Sequence, residues 1–234
     1  MQYKERGDPV TEADRAINEV LRRSLVRDGE GWLSEETADD FDRLNKERVW
    51  IVDPIDGTRE FVAGIAEWCI SIGYIVENRT YAGGICNPQT GEIFIGSRHM
   101  GLSYNGRRAH PTRRTALDGA LVLASRSEFS TGQWDTCDSG RFRIRPVGSV
   151  AYKLALVAAG KADATWTTMP KNEWDVAAGV ALVESAGGQV WTMENAAPVF
   201  NRREPRFNGL AACGPQLREE THLISREAAV HAER

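Results

Sequence analysis

The chain has 234 residues, 41% of them hydrophobic, with 29 basic against 33 acidic side chains and a formal charge of -4. This length suits one large domain or two fused halves with ample core. The acidic balance leaves no footprint for a nucleic acid polymer, and no stretch has the apolar length of a membrane span or a signal-peptide core. In chain order, Thr11 and Asp14 have the spacing of a capping box and open a helix with Ile17, Val20, Leu21 and Leu25 on one face. Leu33-Ser34-Glu35-Glu36 reads as an acidic loop. The apolar run Trp50-Ile51-Val52 reads as a buried strand that stops at Asp53. Trp68 to Val76, Tyr81 to Cys86 and Ile93 to Ile95 read as three strands of an antiparallel meander. Their turns are Glu77-Asn78-Arg79 and Asn87-Pro88-Gln89-Thr90-Gly91.

Leu121 to Ala124 opens a second half as a short buried strand. Val150 to Ala159 reads as a helix ended by Gly160, and Val176 to Ala186 as another ended by Gly187-Gly188. Their alanine-rich faces allow close packing on a sheet. Arg202 to Arg206 is a charged loop. The chain therefore divides into an N-terminal α+β half over 1–117, a C-terminal α/β half over 118–220 and a flexible tail over 221–234. There are no internal repeats. Cys69, Cys86, Cys137 and Cys213 show no paired spacing and read as buried thiols of a reducing compartment, with the cytoplasm as the expected location.

The chemistry concentrates between Trp50 and Phe61. Pro54 fixes its own φ and pushes Asp53 into an extended conformation, so Asp53 and Asp56 converge at the end of a strand. The amides of Gly57 and Thr58 follow at a helix start suited to an anion. Two hard carboxylates beside an anion cradle suit a divalent metal and a phosphate together. An Asp-Pro turn followed by an Asp cap explains this stretch, taken alone, equally well. Capping likewise explains Asp14 and Asp175, and solvation explains Glu35-Glu36.

Four segments occur here in one order. They are Asp8-Pro9-Val10-Thr11-Glu12-Ala13-Asp14, Ser34-Glu35-Glu36, Asp53-Pro54-Ile55-Asp56-Gly57-Thr58 and Trp174-Asp175-Val176-Ala177-Ala178-Gly179. Together they resemble the inositol monophosphatase superfamily of metal-dependent, lithium-sensitive phosphomonoesterases, from about Gly7 to about Val190. The resemblance implies an α/β fold, the layered αβαβα sandwich of the inositol monophosphatase and fructose-1,6-bisphosphatase type. It implies Glu35, Asp53, Asp56, Asp175 and the Ile55 carbonyl as metal ligands. Thr58 and Glu35 would position the attacking water, and Asp14 would hold the Thr58 hydroxyl. Gly57 and Thr58 would receive the phosphate, while Asp8 and Glu36 stand beside these positions. All-oxygen ligands suit Mg²⁺, two or three ions, or Mn²⁺, and argue against zinc or iron, while the lack of a Cys-x₅-Arg loop or a Ser-His-Asp arrangement argues for direct attack by water rather than a covalent route.

The segments Ser34-Glu35-Glu36, Arg59-Glu60-Phe61 and Ser125-Arg126-Ser127 look most like the 3′(2′),5′-bisphosphate nucleotidase branch. That branch removes the 3′-phosphate of adenosine 3′,5′-bisphosphate. The alternative is a phosphatase of inositol phosphates or of another sugar or polyol phosphate, histidinol phosphate included. A catalytically silent metal- or nucleotide-binding protein is the reading from another class. Ser149, Lys153, Arg126 and Lys171 are the candidate substrate contacts, although a Gly-Ser helix start with a solvated lysine explains Ser149 and Lys153 equally well. Trp166 and Trp174 either stack a base or belong to the core. Two departures stand out. Family members carry a long helix ahead of the Asp-Pro-Val-Thr segment, whose absence would expose apolar sheet surface or leave it to a partner subunit. The inositol-binding acid is replaced by Thr168, with Glu173 as a substitute from another direction. The resemblance allows a homodimer and implies a small phosphorylated substrate, with no membrane.

Overall fold

The computed structural model describes residues 2–3, 9–135 and 140–232. Asp8 and Cys137 lie outside the described residues. A seven-stranded sheet runs in sequence order through β1 (Gly31–Ser34), β2 (Arg48–Asp56), β3 (Cys69–Val76), β4 (Arg79–Asn87), β5 (Glu92–Ser97), β6 (Gly101–Tyr104) and β7 (Arg107–Ala109). Only β1 and β2 are parallel; the other neighbours are antiparallel, as the meander pattern predicts. The β3–β4 turn uses left-handed Glu77 and Asn78, which matches the twist of a two-residue hairpin.

The second sheet has five strands: β8 (Leu121–Ser125), β9 (Arg143–Val147), β10 (Ala164–Thr167), β11 (Gln189–Thr192) and β12 (Leu210–Cys213), in the order β9-β8-β10-β12-β11. Strands β8, β9 and β10 are parallel, and β11 and β12 complete the sheet antiparallel. The chain passes between the sheets through residues 110–120. The helices are α1 (Glu12–Leu25), α2 (Thr58–Val62), α3 (Arg126–Ser130), α4 (Val150–Ala158), α5 (Glu173–Ser185) and α6 (Arg218–Ala232).

Every residue of α4 is buried, as is most of α5, because these two helices form the middle layer between the sheets. Glycine permits the approach of α5: a Cβ on Gly73 would stand 2.7 Å from Ala177, and one on Gly83 2.5 Å from the Ala178 carbonyl. Helix α1 packs on β2, and α6 packs on β10 and β12. The result is the expected αβαβα sandwich. No helix among the described residues is long and apolar enough to cross a membrane.

Three expectations change. Strand β2 does not stop at Asp53 but continues through Pro54 to Asp56. Its register on β3 shifts between those aspartates, so the proline sits in a bulge where the ladder does not need its missing N–H. Helix α5 begins at Glu173 because Asn172 caps it, with Asp175 as the reciprocal member of a capping box. The flexible tail over 221–234 is corrected to a docked helix as far as Ala232. Thr221, Ser225 and Ala228 recur on one face and are buried. Thr221 and Ser225 disguise the apolar stripe that a helix reading requires.

Ile93 and Ile95 of β5 are 45% and 60% exposed, and Val20 of α1 63%.

Candidate active site

Five strand ends meet at one cavity of about 770 Å³. Parallel strands β8, β9 and β10 deliver Ser125 to Glu128, Gly148 to Val150, and Met169 to Lys171 at their C-terminal ends, the general place for ligands in such sheets. From the other side β2 delivers Asp53, Ile55 and Asp56, followed by Gly57 and Thr58. The parallel β1–β2 pair carries Glu35 to the same wall, where its N–H donates to the Val52 carbonyl at 3.4 Å. The first turn of α5 adds Asp175. Glu35, Asp53, Ile55, Asp56, Gly57, Thr58, Arg126, Ser149, Lys171 and Asp175, far apart in sequence, thus line one space.

The carboxylates are held from behind. Asp53 accepts the Ile55 N–H at 3.0 Å within the bulge. Asp56 Oδ2 accepts the Ser149 hydroxyl at 2.5 Å and the Ala151 N–H at 2.7 Å, at the start of α4. Asp175 Oδ2 accepts the Asn172 N–H at 2.8 Å, so its capping role and its place on the cavity coexist. Burial is the largest influence on both Asp56 and Asp175 and pushes their carboxyls up. The charges of Asp56 and Glu35 add to this at Asp175, which reaches about 8. Burial lowers Lys153 to about 8, against the opposing pull of Asp56.

This donor set fits a hard divalent cation: it is entirely oxygen, and its mutual repulsion is what a cation relieves. Among the described residues no three acidic, histidine or cysteine side chains are already gathered at chelating distance. The carboxylates stand around the cavity wall and must converge on an ion.

Several predicted roles need correction. Asp14 does not hold Thr58: its Oδ2 accepts the Thr11 N–H at 2.8 Å and the Thr11 hydroxyl at 2.6 Å, and its buried Oδ1 has no hydrogen-bond partner among the described residues. The Thr58 hydroxyl donates to the Ile55 carbonyl at 3.0 Å instead. The Ser149 hydroxyl is turned to Asp56, and the Lys153 ammonium to backbone carbonyls. Arg126 lines the cavity but is paired with Glu67 at 2.5 Å, and Lys171 stands 3.9 Å from Glu128. Glu173 is not a substitute acid in the cavity; it is fully buried and accepts the N–H groups of Asn201 and Arg202. Trp166 stacks on Trp134 in the core at 4.6 Å, whereas Trp174 lines the cavity.

Sequence reasoning missed Glu67, Glu60 and Glu128. Glu67 also accepts the Gly148 N–H at 2.8 Å, and Glu60 packs against Gly148 so closely that a Cβ there would lie 2.5 Å away. Glu128 is only 4% exposed and accepts the Thr167 hydroxyl. Glu67 and Glu128 have no spacing signal, because each meets the site from a separate element, whereas Glu60 directly follows the Gly57-Thr58-Arg59 run and could have been found there.

The profile described as "Inositol monophosphatase family" matches residues 1–229. The chain belongs to the inositol monophosphatase family. The Nus factor SuhB of Pseudomonas aeruginosa is 35% identical over 205 residues, covering 80% of this chain and 73% of that protein. The inositol-1-monophosphatase of Mesorhizobium japonicum is 33% identical over 202 residues, with 80% and 73% covered. The solved structure of the Thermotoga maritima IMPase superposes with a TM-score of 0.80 at 28% identity, over 95% of this chain and 85% of that one. Membership of the inositol monophosphatase family makes the protein a metal-dependent phosphomonoesterase. Within this family of inositol monophosphatases, Thr168 follows β10 outside the residues lining the cavity, and the buried acid on the cavity wall beside β10 is Glu128.

Proposed function

We propose that the protein hydrolyses a small polyol or sugar monophosphate, an inositol phosphate first among them, by Mg²⁺-assisted direct attack of water. The observation that carries this reading is the composition of the cavity. Four carboxylates and the Ile55 carbonyl stand on one wall, while Arg126 and Lys171 opposite are each matched by an acid, Glu67 and Glu128. Acids and hydroxyls suit a substrate rich in hydroxyl groups. The inositol monophosphatase names among the relatives support the same choice.

Glu35, Asp53, Asp56, Asp175 and the Ile55 carbonyl would hold the metal. When bound there, Mg²⁺ would supply charge neutralisation for the phosphate, a lowered pKa for water and stabilisation for the leaving alkoxide. Glu35 takes the proton of the attacking water, and the Thr58 hydroxyl orients that water. The amides of Gly57 and Thr58 receive phosphate oxygens. Lithium sensitivity and a reducing, cytoplasmic setting belong to this proposal. The setting is supported by the free thiols of Cys69, Cys86 and Cys213.

The second reading is the 3′(2′),5′-bisphosphate nucleotidase. It is favoured by Arg126 and Lys171, which line the cavity beside Glu67 and Glu128 and could be engaged there by a second phosphate in an otherwise acidic protein. The deciding experiment is phosphate release with Mg²⁺ from inositol 1-phosphate and from adenosine 3′,5′-bisphosphate, with EDTA as control. Preference for the inositol ester supports the first reading, and preference for the nucleotide replaces it with the second. Release that persists in EDTA would remove both.

A further inference from the structure

The structure assigns Lys153 a positioning role: its buried ammonium grips the carbonyls of Val147, Gly148 and Ser149, holds the Ser149 hydroxyl and the Ala151 amide on Asp56, and so orients that carboxylate for a cation. Lys153 is 2% exposed although it lies at the cavity. Its Nζ donates to the Val147 carbonyl at 3.1 Å and to the Ser149 carbonyl at 3.0 Å, with Gly148 at 3.5 Å. A buried ammonium needs such acceptors, and three successive carbonyls turned inward are an uncommon demand on a chain.

The backbone records that demand at Ser149. With φ 48 and ψ 119 this serine occupies a region that residues with a side chain rarely adopt. That conformation turns its hydroxyl both ways: Oγ donates to Asp56 Oδ2 at 2.5 Å and accepts the Tyr152 N–H at 2.9 Å. Glu67, bonded to the Gly148 N–H, steadies the loop from the opposite side. Lys153 therefore acts through the loop and needs no contact with substrate.

This inference rests on Asp56 being a ligand, as in the reading above, and the test separates the two. Mg²⁺ is titrated calorimetrically into the full-length wild type, Lys153→Met, Lys153→Gln, Ser149→Ala, the Lys153→Met/Ser149→Ala double variant and Asp56→Asn, with melting temperatures recorded for each. Lys153→Met is expected to weaken Mg²⁺ binding roughly 10- to 100-fold, the usual scale for a group that orients a ligand. Lys153→Gln, which keeps a donor without the charge, should recover part of that loss. Ser149→Ala should weaken binding comparably and the double variant no further, because both act on one carboxylate. A lysine that mattered only by its charge would tighten Mg²⁺ binding when removed, and one that mattered only for folding would change the melting temperature alone. Either result, or losses that simply multiply in the double variant, overturns the assignment. If Lys153→Met does not fold, Lys153→Gln takes its place and must still bind more weakly than wild type. An unchanged isotherm for Asp56→Asn would instead overturn Asp56 as a ligand.

Discussion

Asp56 and Asp175 are acids that the folded chain places in a setting hostile to their own charge, and their behaviour with pH follows. Asp175 is raised from the ordinary carboxylate range to about 8, so between these limits the folded state holds a proton that the unfolded state has lost. Stability then falls as pH rises through that window. In EDTA the protein should melt at a lower temperature at pH 8 than at pH 5, and Mg²⁺ should narrow the difference. Asp175→Asn should flatten the profile, and thermal melts across pH with and without Mg²⁺ would check both. Asp53→Asn should abolish Mg²⁺-dependent phosphate release while the melting temperature stays within about 4 °C of wild type. Normal Mg²⁺-dependent activity in that variant would refute the ligand assignment. At this scale Asp53, Asp56 and Asp175 were legible because Pro54 and the neighbouring glycine and small residues leave a local pattern. The pairing of Arg126 with Glu67 was not, since 59 positions separate the partners.

The elements explain how a helix in the second half delivers an acid to strands in the first. Helix α5 lies against β3 and β4 where Gly73 and Gly83 offer no side chain, and its first turn thereby presents Asp175 at the end of β2. Gly83→Ala would drive a Cβ to 2.5 Å from the Ala178 carbonyl. It should cost about 1–3 kcal/mol in urea unfolding and weaken Mg²⁺ binding as well, because the helix carries Asp175, a proposed ligand. An unchanged urea midpoint would mean that the helix yields without cost. The periodicity of α5 and the meander were readable from local pattern. The bulge in β2 was not, because an aspartate followed by proline ordinarily marks a strand's end, and only pairing with β3 carries the strand past it.

Across the whole molecule, two sheets enclose a helical middle layer, and the site opens where strands from both sheets end. Helix α6 closes the far side over a core that includes Trp191, Leu217 and Ala228. Ending the chain at residue 217 should therefore lower stability by about 3 kcal/mol or more, measurable as a lower urea midpoint. A chain unaffected by that deletion would restore the flexible tail expected over 221–234. The exposed Ile95 bears on none of this: Ile95→Thr should shift stability by less than about 0.5 kcal/mol in the same assay. The amino-acid sequence by itself determined the family, the carboxylates that line the cavity and most strands and helices, because each rests on residues close together in the chain. Only the tertiary structure decided what holds the hydroxyl and the cations of the cavity, since Ser149 and Arg126 are oriented by partners from the other half of the chain, Lys171 by Glu128 and Lys153 by the carbonyls before its own helix. Asp56 reaches Ser149, and Glu67 reaches Arg126, only after the two sheets have closed on the middle layer.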